Sequence, residues 1–67
     1  MEITKNNIGK IIYINNAKSI GHISSNIHPN ILISFSNKNV TADYIPKTND
    51  IVYFDLLGSS VAINVNS

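Results

Sequence analysis

With 67 residues, no cysteine and a formal charge of +1, the chain has room for one small domain stabilised by apolar burial alone. These figures exclude a disulfide framework, a thiolate metal site and strong electrostatic steering of a polyanion. All five cations are lysines, so the bidentate and stacking contacts that arginine makes with nucleic acids are missing as well.

Residues 1–7 form a polar lead-in that frays or extends the first strand. Two runs rich in apolar and β-branched residues follow, at 8–15 and 19–24. The polar stretch Asn16-Ala17-Lys18 joins them, so the pair reads as an antiparallel hairpin. His28-Pro29 marks a connecting turn, because proline disfavours helix in the residue before it. A third strand is predicted over 31–35. Residues 36–49 show neither a helical nor a strand period, and Pro46 interrupts any ladder there, so the expectation is a long loop with one short helical turn. A fourth strand over 50–57 and a fifth over 60–66 are joined by Gly58-Ser59. The numerous asparagines, among them Asn15, Asn16, Asn30, Asn37, Asn39 and Asn49, fall at turns and strand ends, where turn or left-handed geometry suits them.

Five short strands with no substantial helix define an all-β chain, and so small a sheet hides its edges by closing on itself. The predicted architecture is a five-stranded antiparallel OB-type barrel comprising the whole chain as one domain. Its expected interior is Ile11, Ile23, Ile31, Ile33, Val52, Phe54 and Val65. No basic-then-apolar leader opens the sequence, and its longest apolar runs are far too short to span a bilayer, which predicts a cytoplasmic protein without membrane contact. His22 and His28 are the only imidazoles and make a poor metal set. Neither a nucleophile elbow nor a glycine-rich phosphate loop is present, so no cofactor and no enzymatic activity are expected.

Gly9, Ile11, Tyr13-Ile14 and Asn15, followed by Lys18-Ser19-Ile20-Gly21-His22-Ile23, resemble the opening signature of the cold-shock domain family: Gly, a β-branched residue, an aromatic pair, Asn, a turn, then Lys-Gly-Phe-Gly-Phe-Ile. Ile31-Leu32-Ile33-Ser34-Phe35-Ser36 is similar to that family's Val-Phe-Val-His-Phe-Ser. Asn49-Asp50-Ile51-Val52-Tyr53-Phe54 and Val61-Ala62-Ile63-Asn64-Val65 stand where it carries Gly-Gln-x-Val-x-Phe and a final Ala-Ala-Asn-Val strand. The likeness runs in order from Gly9 to Val65.

The resemblance implies binding of single-stranded RNA or DNA across the first three strands, with bases stacked on exposed rings and lysines at phosphates. Carried over residue by residue, Tyr13, His22 and Phe35 would stack, Lys18 would meet a phosphate and Tyr44 would assist from the loop. Ile20 and Leu32 depart from the pattern by replacing phenylalanines, Ser34 replaces histidine, and Ile12 replaces lysine. Stacking is worth ~1–3 kcal/mol per base, so loss of the two rings costs roughly 2–6 kcal/mol and predicts weak binding. The aliphatic replacements also raise an alternative: Ile12, Ile20 and Leu32 form a face that docks another protein or a second copy of the chain.

Overall fold

The structure is a computed structural model that describes residues 3–26 and 30–67. Among these residues the strands are β1 (Ile3–Asn15), β2 (Ile20–Ser24), β3 (Ile33–Ser36), β4 (Ile51–Leu57) and β5 (Val61–Asn66), with a single 3-10 turn at Asn37–Asn39 after β3. They close in the order β1-β2-β3-β5-β4, an all-β barrel of OB type. Every strand pairing but one is antiparallel. The closing pair, β3 with β5, is parallel through Ser34 and Val61, so the expected five-stranded OB-type barrel is antiparallel at every seam but this one. The chain order requires this, since β3 reaches β5 only after the long loop and β4 have reversed it twice. Ser34 N–H donates to Ser60 O at 2.8 Å and Thr41 N–H to Val65 O at 2.9 Å, fastening the seam.

Alternation, interrupted once in β5 at Asn64, places Ile11, Ile23, Ile33, Phe35, Val52, Phe54, Leu56, Ala62 and Val65 in the core. Six of the seven expected interior residues are there. Ile31 is the exception: it is exposed, because β3 begins only at Ile33 and the pleat that would turn Ile31 inward does not extend to it. The turn expected at His28-Pro29 lies outside the described residues. Truncation of one of the large core side chains to alanine is expected to cost ~2–5 kcal/mol, comparable with the whole stability of so small a domain.

β1 is the organising strand, since its first half pairs with β4 and its second half with β2. Gly9, paired with Val52, directly precedes Lys10, the residue that both pairings share, and a β-carbon at 9 would lie 2.5 Å from Ile23 Cγ2 and 2.8 Å from Ser24 O. A bare backbone at this point lets the strand coil tightly enough to serve both neighbours. The lead-in is strand from Ile3 onward, through a bulge between Thr4 and Asn7 at which Asn6 adopts φ 63°. Asn7 fills the bulge from inside: its buried Nδ2 donates to Thr4 O at 2.8 Å and Phe54 O at 3.3 Å. At the same bulge, Asp55 joins two irregularities. Its Oδ1 accepts from Asn6 N–H at 3.1 Å and its Oδ2 from Asn64 Nδ2 at 3.0 Å, with Asn64 itself at φ 54° in β5.

Candidate nucleic-acid interface

The outer face of β1, β2 and β3 follows from register. Ile11 pairs with Ile23, but the next pair is Tyr13 with His22, so Ile12 is an extra residue in β1. This bulge turns Ile12 and Tyr13 both outward where strict alternation would bury one of them. His22 pairs in turn with Ser34, giving a transverse row Tyr13–His22–Ser34, and beside it runs the row Asn15–Ile20–Ser36.

Tyr13 and His22 form the centre of this face. Their ring centroids are 5.3 Å apart at an interplanar angle of 43°, a separation typical of a favourable aromatic pair. Tyr13 is 45% exposed and His22 half-buried, so the pair presents π-surface to solvent. A short polar chain fixes the tip of Tyr13. Asn15 Nδ2 donates to the Tyr13 hydroxyl at 3.1 Å, and Asn15 Oδ1 accepts from Lys18 N–H at 3.2 Å. The aromatic pair is thereby tied to the turn that carries the exposed Lys18, and Asn37 N–H, donating to Ser19 O at 2.9 Å, ties that turn to the end of β3. Tyr13, His22 and Lys18 are thus brought to one region.

Phe35 is not part of it. At 3% exposure it belongs to the core, on the same side of β3 as Ile33, and its ring lies against the backbone of Gly21. A ring enclosed by the barrel cannot stack on a base, so the expectation that Phe35 serves on the binding face is corrected. Tyr44 packs against the core from the 41–49 loop, and its hydroxyl donates to Asp50 Oδ2 at 2.7 Å. Burial, reinforced by the hydrogen bond and the charge of Asp50, pushes its phenol up to about 12. Its polar end is committed to anchoring the loop.

The aliphatic trio is divided. Ile12 and Leu32, 47% and 55% exposed, line one depression together with Ile31, Asn30 and Ser24. Ile20 is half-buried at the opposite end of β2 from Ser24, about 13 Å away at the usual strand rise.

Two features of this surface are additional to the residues predicted from sequence. Asn15 reads as turn punctuation, yet it links Tyr13 to the Lys18 turn. Ile8, Ile51 and Tyr53 form a second exposed apolar area on β1 and β4, with Ile8 directly paired to Tyr53. Strand alternation contains the signal for it: if Ile11, Val52 and Phe54 point inward, then Ile8, Lys10, Ile51 and Tyr53 point outward. Among the described residues no cluster of three His, Cys, Asp or Glu side chains is positioned to hold a metal ion, and no helix is long and apolar enough to cross a membrane. Compared with protein-family models, with curated proteins and with solved structures, the chain gives no match in any of the three.

Proposed function

We propose that the protein binds single-stranded RNA or DNA weakly and without catalysis, on the outer face of β1 and β2. The exposed Tyr13–His22 pair, held by Asn15 to the Lys18 turn, is the observation that carries this reading. Each ring offers a stacking platform for one base, and Lys18 offers an ammonium to a phosphate. The order of motif residues shared with cold-shock domains supports the same assignment, as does a barrel of the type that binds single strands on its sheet face.

The magnitudes define a modest binder. Two stacked bases contribute roughly 2–6 kcal/mol, and one or two lysine–phosphate contacts add a salt slope of only ~0.7 each. Burial of Phe35 removes a third platform, so affinity falls below that of a fully aromatic face. In this reading the protein works in the cytoplasm, where unpaired RNA is available.

Fluorescence anisotropy with labelled oligo-dT and oligo-U hexamers at low salt tests the proposal. Saturable binding that Tyr13→Leu weakens by about tenfold, at unchanged thermal stability, is the expected result. Absence of binding to either oligomer at about 1 mM protein, a level at which even ~4 kcal/mol of interaction registers, rules it out.

A further inference from the structure

The 41–49 loop displays an unusual side chain. Ile45 is 79% exposed, more than any other large apolar residue of the described chain. It does not sit on a slack segment. The preceding Tyr44 is anchored to the core and to Asp50, its N–H donates to Thr41 O at 3.2 Å, and the following Pro46 restricts the backbone. Ile45 is therefore presented as a preformed apolar knob whose docking needs little further ordering. Two residues earlier Asp43 is exposed as well.

Elsewhere on the surface lies a hole of matching chemistry. Ile8, Ile12 and Ile51 line an open groove of about 480 Å³ where β1 meets β2 and β4, with Ser24 and Asn26 at its polar margin. Among its lining residues Lys10 alone is charged, and the lining includes no residue of the 41–49 loop. An occupant suited to this groove brings a branched apolar side chain and a nearby carboxylate. Asp43 and Ile45 carry that pair.

We infer that the chain associates head to tail with copies of itself, Ile45 of one copy entering the Ile8–Ile12–Ile51 groove of the next while Asp43 approaches Lys10. Knob and groove are different patches, so the contact is heterologous and each copy retains a free half after pairing. A net charge of only +1 opposes such contact very little. One knob in one groove buries less than the ~1,200 Å² of a standard interface, which places the association in the weak, transient class. The inference is independent of nucleic-acid binding, and its test contains no oligonucleotide.

The test is sedimentation of the full chain up to about 1 mM, where interfaces of this class are populated. Wild type should show a weight-average mass that rises with concentration. Ile45→Lys and Ile12→Lys should each remain monomeric, with unchanged far-UV circular dichroism and melting, because both positions are exposed. Ile51→Lys replaces Ile12→Lys if the latter loses its fold. Mixing the knob variant with the groove variant should restore a complex limited to two chains, since each supplies the half the other lacks. Lys10→Asp and Asp43→Lys should each weaken wild-type association by about tenfold, and the double swap should recover it. A wild type that stays monomeric throughout, single variants that still associate, or a mixture that forms no pair overturns the inference.

Discussion

Gly21 and Phe35 face one another across β2 and β3, and the Phe35 ring occupies the space a side chain at 21 would need: a β-carbon there would lie 2.5 Å from Phe35 Cζ and 2.7 Å from Cε1. The aromatic ring covers the bare glycine backbone from the inside, a pairing found where a strand must bend sharply while its inner face stays filled. Gly21→Ala should therefore destabilise the domain by about 1–3 kcal/mol through overpacking, and Phe35→Ala by about 3–5 kcal/mol through the cavity. The two effects share one space. Combining Gly21→Ala with Phe35→Ala should cost clearly less than the sum of the separate changes, read by urea unfolding of the four proteins in a double-mutant cycle. Strict additivity would place the cost of Gly21→Ala at the Tyr13 carbonyl oxygen, 2.9 Å from the same β-carbon, and not at the ring.

This pair also shows how far the fold was legible. Period-two alternation accounts for Ile11, Ile23, Ile33, Val52 and Phe54 as interior, whereas Val65 is interior because the left-handed Asn64 shifts the pleat of β5 by one residue after Ala62. The same rule carries from Ile33 to Phe35, whereas the family resemblance assigns Phe35 to the outer face. In the folded chain alternation prevails, since the barrel needs the ring to cover Gly21. Ile31 departs from the expected interior for the opposite reason: it precedes β3, where no period applies. The bulge at Ile12 has no local signature, because it depends on how β1 divides its pairing between β2 and β4. Tyr13, His22 and Lys18 could be grouped from the hairpin alone. The role of Asn15 depends on a side-chain hydrogen bond that composition does not encode.

Asp55 accepts from Asn64 and from the Asn6 backbone, and these hydrogen bonds hold its carboxyl below the usual aspartate range, with Lys5 contributing in the same direction. Because the folded value is the lower one, the stabilisation is fully present above the unfolded value of ~3.9 and is lost as pH falls through the folded value. Asp55→Asn should thus lower stability at neutral pH and flatten the acid limb of a melting-temperature profile. Identical acid limbs in wild type and variant would remove Asp55 from this role. Asn64 holds φ 54°, so of two variants that both lose the Asp55 contact, Asn64→Gly should be the more stable and Asn64→Ala the less.

The Tyr44 phenol titrates at about 12 because burial and the Asp50 carboxylate both disfavour the phenolate. Its folded value exceeds the ordinary ~10, so the contribution is complete below pH 10 and disappears as pH rises from 10 through 12. Absorbance titration near 295 nm should reveal a late step, removed by Tyr44→Phe, that coincides with loosening of the 41–49 loop. The same variant should cost about 1 kcal/mol at neutral pH for the lost hydrogen bond. A titration curve unchanged by Tyr44→Phe would place the late step elsewhere.

Asn15 gives the sharpest separation between positioning and contact on the proposed binding face. It holds the Tyr13 hydroxyl and the Lys18 amide at 3.1 and 3.2 Å, yet offers no ring to a base. If stacking drives binding, Tyr13→Leu removes a platform worth ~1–3 kcal/mol, which is about five- to 150-fold in affinity. Asn15→Ala leaves the platform present and releases only its restraint, a change of about 1 kcal/mol that weakens oligonucleotide binding roughly fivefold. The salt slope should be nearly unaltered by either variant and reduced by ~0.7 in Lys18→Ala, because only the lysine displaces a counterion. The pattern to look for is therefore an intercept shift in the first two variants and a slope shift in the third, measured by anisotropy at four or more salt concentrations. Equal slope changes in all three would mean that the hairpin binds through diffuse charge and that the rings of Tyr13 and His22 serve only to pack the sheet.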